Sequence, residues 1–93
     1  MKTNVLRLYV TGQTPRSKAA IAHMKRLCEE DLKNQIALEI IDVLQQPQLA
    51  EDQQILATPT LLKMVPPPLK RIIGDLSDKE KVLIGLDLAL VKE

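Results

Sequence analysis

The sequence predicts an α/β domain whose first half is a single strand–helix–strand unit. Three observations predict it. Asn4 to Val10 (NVLRLYV) and Ile36 to Val43 (IALEIIDV) are nearly continuous apolar runs of strand length. Runs of this kind belong to strands buried on both faces. Between them, Ala20, Met24, Leu27, Cys28 and Leu32 recur at helical spacing. A helix joining two such strands makes a crossover that is parallel and right-handed in nearly all known cases.

The connecting elements follow from local chemistry. Thr11-Gly12-Gln13-Thr14-Pro15 is a loop that opens the first helix. Thr14 can cap the helix, and Pro15 suits its first position, where a missing N–H costs nothing. Lys18, Lys25, Arg26, Glu29 and Glu30 form the solvated face. Gln46-Pro47 opens a second, polar helix over Gln48 to Leu56. Ala57-Thr58-Pro59-Thr60 leads into the apolar stretch Leu61 to Val65 and then to three prolines, Pro66, Pro67 and Pro68, which read as a turn. Leu69 to Ile73 is a strand, Gly74-Asp75-Leu76 a turn, and Ser77-Asp78-Lys79-Glu80 a capping box.

The last segment supports two readings. Val82, Leu83, Leu86, Ala89 and Leu90 lie at helical spacing, yet Ile84, Leu86, Leu88 and Leu90 alternate with Gly85, Asp87, Ala89 and Val91 as a strand would. Gly85 costs a helix about 1 kcal/mol against Ala. Asp87 is poor in the middle of either element. Local signals that disagree are unusual for a sequence with one fold.

Composition excludes several function classes. The 93 residues form one domain, 1–93, with a stability margin of roughly 5–10 kcal/mol. Tyr9 is the only aromatic residue, so base stacking has no platform, and a net charge of +1 argues against general polyanion binding. No apolar run approaches the ~18 residues of a membrane span. The start shows no signal-peptide pattern and one cysteine excludes an internal disulfide, so a cytoplasmic protein is expected.

No catalytic constellation emerges. Cys28 falls mid-helix on the apolar face, where a packed thiol is expected and not a reactive one. His23 has no Cys or His at ligand spacing. Asp42, Asp75 and Asp78 have no evident partners for acid–base work. No cofactor or metal is implied. Lys63, Lys70 and Arg71 surround the proline run. They read either as a solubilising edge or as a basic contact patch for an acidic partner, with Lys18 a further candidate.

The plan resembles the thioredoxin fold: strand, helix, strand, helix, a Thr-Pro dipeptide with a cis bond, a strand hairpin and a helix. The loop Thr11 to Ser17 stands where thioredoxins keep two thiols, and here it has none. Dithiol exchange needs both an attacking and a resolving thiolate. An alternative is a hydroxyl in that loop orienting a glutathione thiolate, as in glutathione transferases. Those enzymes use a second helical domain, for which 93 residues leave no room.

Longer runs resemble one family. Ile55-Leu56-Ala57-Thr58-Pro59-Thr60-Leu61, Val65 to Pro68, Arg71 to Ser77 and Val82 to Leu88 look like the KaiB circadian clock proteins. So do Leu8-Tyr9-Val10, Thr14-Pro15, Ile41 to Leu44 and Pro47 to Glu51. The resemblance implies a non-enzymatic regulator that binds KaiC, a hexameric ATPase, with KaiA and a sensor histidine kinase pathway as further partners. It implies two folds that share the N-terminal half, about 4–44, and differ over a switchable half, about 46–93. The resting order is βαββααβ in a homotetramer, and the alternative is the monomeric thioredoxin-like βαβαββα. Mass action favours the tetramer at high concentration, so the resting order is expected in a crystal. The residues implied in the switch are Pro59, Pro66, Pro67, Pro68, Gly74, Asp75, Gly85 and Asp87. Two features depart from clock members: Ala19 stands beside Lys18 where they carry Arg, and the chain ends Ala89-Leu90-Val91-Lys92-Glu93. A single-fold oligomeric paralogue with another partner, in stress adaptation, therefore stays open.

Overall fold

Central strand β1 (Asn4–Val10) carries an apolar-rich run, and Leu6, Leu8, Tyr9 and Val10 are all buried. The computed structural model describes residues 4–31, 36–65, 69–73, 76–77 and 79–86. After β1 come α1 (Pro15–Arg26), β2 (Ile36–Asp42), α2 (Pro47–Asp52), β3 (Thr60–Val65), β4 (Lys70–Ile73) and α3 (Lys79–Leu86). The four strands form one sheet in the order β2-β1-β3-β4. β1 and β2 are parallel, with Arg7 opposite Glu39, while β3 runs antiparallel to both β1 and β4.

This is the thioredoxin-like βαβαββα order of the two alternatives, and the resting βαββααβ order expected of a crystal is not the one held here. The physical reason lies in the core. The sheet is covered from within: Leu76 and Val82, at and before α3, pack with Leu6, Leu8 and Met24. The helical reading of the last segment holds through Leu86. Residues 87–93, Pro66, Pro67, Pro68, Gly74, Asp75 and Asp78 lie outside the described residues. So, therefore, does the capping box as a whole.

The sheet has two apolar faces. One packs against α1 and α3 through Leu6, Leu8, Ala20, Met24, Leu61 and Val82. The other packs against α2 through Tyr9, Ile41, Ala50 and Leu62. α1 runs on as a π-helical turn, Leu27–Asp31, in which the adjacent Leu27 and Cys28 are both buried. The wider turn of a π-helix brings successive residues toward one side.

α2 is shorter than the Gln48–Leu56 helix expected, because it ends in a Schellman motif. Gln54 N–H donates to Glu51 O at 3.0 Å, and Ile55 N–H donates to Ala50 O at 2.8 Å. Gln54 stands at the left-handed position with φ 53°. Ile55 and Ala50 then meet in the second core, which is the hydrophobic contact that accompanies this cap.

Candidate functional site: the loop over the end of the sheet

The β1–α1 loop sits at the C-terminal end of the parallel strands and is held by hydroxyl groups. Thr14 caps α1 in extended conformation, and its Oγ1 accepts from Ser17 N–H at 3.1 Å. Ser17 is 3% exposed. Its hydroxyl donates to Thr11 O at 3.0 Å and accepts from Thr11 N–H at 3.2 Å and from Thr14 Oγ1 at 2.9 Å. One proton and two lone pairs are all that a serine hydroxyl has, so Ser17 is saturated. Thr11 Oγ1 lies 2.6 Å from Thr58 Oγ1, which ties the loop to the cis Thr58–Pro59 bond.

Asp42 closes the other side. Its Oδ1 accepts from Gly12 N–H at 3.1 Å and from Leu44 N–H at 2.9 Å. Gly12 has φ +57°, and a Cβ there would meet Leu44 Cδ1 at 3.3 Å. The left-handed backbone favours glycine at this turn, while the Leu44 methyl, on an exposed side chain, could shift to admit a Cβ. Sequence reasoning found no role for Asp42. The signal was available: an Asp after a strand, two residues before Leu44, is the pattern of an Asx turn.

The arrangement holds a shape and offers no reacting group. It contains no thiol, and the Thr14 and Ser17 hydroxyl protons are both committed to neighbours. Cys28 is buried in the first core, away from the loop. Among the described residues, no group of three His, Cys, Asp or Glu is arranged to hold a metal. His23 is exposed on α1.

The sequence-named candidates fall in different places. Pro59 is buried beside the loop, and Lys18 is exposed on α1. Lys63 is only 2% exposed, directly opposite half-buried Lys70 across the β3–β4 pair. In this fold the Lys63 ammonium is not presented to a partner. Arg71 is exposed, but its guanidinium donates to Gln53 O at 2.8 Å and Gln54 O at 3.3 Å. It thus complements the carbonyl end of α2. Gly85 lies on α3 against β4, where an added Cβ would meet Ile72 Cδ1 at 2.9 Å.

Two features were not anticipated. Arg7, opposite Glu39, forms an ion pair with it at 2.9 Å and also donates to Tyr9 Oη at 3.4 Å. The hydrogen bond to Tyr9, then that to Glu39, holds the guanidinium above its ordinary pKa. The second feature is an apolar cavity of about 540 Å³ beside α2, lined by residues between Val43 and Leu56. At its rim Leu56 is 95% exposed, and nearby Leu44 is 69% exposed. A cavity made by the packing of a helix on a loop has no pattern in the linear chain.

Comparison with known proteins agrees with this geometry. The model of the KaiB domain matches residues 7–88. The chain is 60% identical over 88 residues to the circadian clock protein KaiB3 of Synechocystis sp., covering 95% of this chain and 86% of that one. It is 63% identical over 87 residues to the circadian clock oscillator protein KaiB of Picosynechococcus sp., covering 94% and 84%. Among solved structures, the N-terminal domain of Synechococcus elongatus SasA superposes with a TM-score of 0.72 at 28% identity, over 90% of this chain and 81% of that one. A thioredoxin from Halobacterium salinarum superposes at 0.73 with 21% identity, covering 95% and 79%, and shows the fold alone. With a family match over nearly the whole length and a thioredoxin-like site emptied of thiols, the chain belongs to the KaiB family of circadian clock proteins.

Proposed function

We propose that this protein is a non-enzymatic regulator that binds a KaiC-type ATPase and modulates its phosphorylation cycle or its output signalling. The observation that carries the reading is the saturated hydroxyl loop in a KaiB-family chain: Ser17 and Thr14 fix the loop and leave no thiol for exchange. The fold shared with the SasA N-terminal domain supports a second element. A surface common to both proteins would let one displace the other, which links the chain to a sensor-kinase pathway, with KaiA as a further partner. Lys18 and Lys70 are the proposed basic contacts, Lys63 being withheld by burial.

The proposal includes the cytoplasm as the site of action and a resting homotetramer with the alternative element order. The half from about 46 to 93 changes fold, with Pro59, Pro66, Pro67, Pro68, Gly74, Asp75, Gly85 and Asp87 in the switch. Gly85→Ala with Asp87→Arg favours helical α3 and shifts tetramer to monomer by size exclusion with light scattering. The gain at Gly85 is about 1 kcal/mol of helix propensity, less the displacement of Ile72 Cδ1, the movable end of its side chain.

The deciding experiment is co-elution with purified KaiC-type ATPase from the same genome, in ATP and in ADP. A stable complex in one nucleotide state supports the reading. No complex in either state, with the chain still oligomeric and folded, abandons it in favour of a single-fold paralogue with another partner.

A further inference from the structure

We infer that the apolar cavity beside α2 is a docking socket for an apolar side chain carried on a basic segment of the partner. The inference deepens the reading above and rests on it, the partner being the ATPase proposed there. Val43, Pro47, Ala50, Ile55 and Leu56 wall the cavity, and only Glu51 and Gln54 line it with polar groups. Its size, about 540 Å³, falls within the range of ligand pockets.

The rim argues for a protein over a small molecule. A pocket for a small ligand aims a few placed polar groups at it, and here the two, Glu51 and Gln54, are both exposed. Leu56, a wall of the cavity, is 95% exposed, and Leu44, 69% exposed, adds apolar surface next to Val43 outside it. A small ligand inside the cavity leaves Leu44 and the outer face of Leu56 in water. An opposing protein surface covers both, which is the usual meaning of a contiguous exposed apolar patch.

Charge identifies the occupant. From Leu44 to Leu56 the chain carries Glu51 and Asp52 and no cation. Both acids are exposed. The cation seen against this segment, Arg71, is bonded to the Gln53 and Gln54 carbonyls, where it answers the negative end of α2. Glu51, on the lining, and Asp52, which also accepts from Gln48 Nε2 at 2.8 Å, complement Lys or Arg on the incoming segment.

The rim is also preorganised. The Schellman bonds fix Gln54 and Ile55, Thr60 Oγ1 donates to Ala57 O at 2.6 Å, and Thr58 is joined to Thr11 at 2.6 Å. A socket already in its binding shape loses little freedom when filled.

The test measures binding of the intact KaiC-type ATPase to the full chain and to Leu56→Ser, Glu51→Lys and, on the exposed face of α1, Ala22→Ser. All three positions are exposed, and circular dichroism with the urea midpoint checks that each variant keeps its fold. Leu56→Ser is expected to weaken binding about tenfold or more, because it replaces an apolar wall of the socket that the partner's side chain covers. Glu51→Lys is expected to weaken it about fivefold, with the loss shrinking as salt rises. Ala22→Ser stays within about twofold, the control for a position far from the socket. If the wild type binds and both socket variants bind equally well, the socket is overturned and the partner reading survives. If the wild type binds the ATPase in neither nucleotide state, the partner reading falls first and the socket with it. A Leu56→Ser chain that keeps the ATPase but loses self-association assigns the cavity to a second copy and also overturns the proposal.

Discussion

From Asn4 to Asp42 the chain is held redundantly. Its two strands pair over their full length, its helix is capped by a hydroxyl network, and its buried side chains form most of the larger core. From Pro47 to Leu86 the supports among the described residues are fewer and more strained. α2 has six residues and no side-chain cap at its start. Its end rests on a non-glycine residue at φ 53° and on one arginine from an edge strand. β3 takes a lysine, Lys63, into its buried face opposite half-buried Lys70. Large apolar side chains at Leu56, Ile73 and Ile84 remain exposed. The difference teaches that the second half is assembled onto the first, and that it has the smaller margin to lose before opening.

The largest expected effect breaks both halves at once. Leu8 is fully buried at the centre of the sheet, between β2 and β3. Leu8→Ala is expected to lower stability by about 3 kcal/mol, the transfer of the lost methyls plus the cavity left behind. Urea unfolding monitored by circular dichroism reads it as one cooperative transition at lower denaturant. A first transition confined to part of the signal, with the rest unmoved, would show instead that the halves do not share this core.

Next in size is Ser17→Ala, which tests the redundancy of the first half. It strips Thr11 N–H, Thr11 O and the Thr14 hydroxyl of their partner in a buried site. The expected loss is about 2 kcal/mol, the penalty for buried polar groups left unpaired. The midpoint falls while the slope of the urea transition holds, since the surface exposed on unfolding is unchanged. A loss under about 0.5 kcal/mol would mean that solvent replaces the hydroxyl, as it does at open surface sites.

How far the two halves could be read from the sequence follows the same division. β1 was legible to the residue, because a run of seven apolar-rich residues buried on both sides carries its own boundaries. So was the start of α1, because Thr14-Pro15 encodes a cap and a first turn. The loop's emptiness of thiols was visible in the letters alone. In the second half the signals were tertiary. Nothing near Gln54 announced a helix end, since the residue that usually marks one is glycine. Lys63 stands in an apolar run and read as an exposed edge, yet the sheet register turns it inward with Leu6 and Leu61. Arg71 was counted among surface charges, and only folding brings it to carbonyls seventeen and eighteen residues away. The cavity beside α2 was invisible for the same reason.

Arg71→Ala is the third prediction and separates the halves. Two charge-assisted hydrogen bonds to the end of α2 are lost, and the carbonyls gain water in exchange because the site is exposed. A loss of about 1–1.5 kcal/mol is expected. Arg71→Lys restores only part of it, since a single ammonium cannot reproduce the two-pronged contact. Amide exchange localises the effect: faster exchange at Gln54 and Ile55, with β1 amides changed less. Equal acceleration in β1 and at Ile55 would show that α2 opens only with the whole domain.

The smallest change is the most discriminating. Gln54 holds a left-handed conformation that costs a side-chain-bearing residue roughly 1 kcal/mol, and glycine adopts it without that penalty. Glycine also has more freedom to lose from the unfolded chain, which takes back part of the gain. The net expectation for Gln54→Gly is a stabilisation of about 0.5 kcal/mol, in the direction opposite to the other three. Because Ile55 N–H donates to Ala50 O across this residue, its exchange rate is the direct reporter. If α2 opens on its own, Gln54→Gly slows exchange at Ile55 about twofold and leaves Leu8 and Tyr9 in β1 unchanged. If α2 and β1 slow together, the second half is no weaker than the first, and the strain at Gln54 is borne by the domain as one cooperative unit.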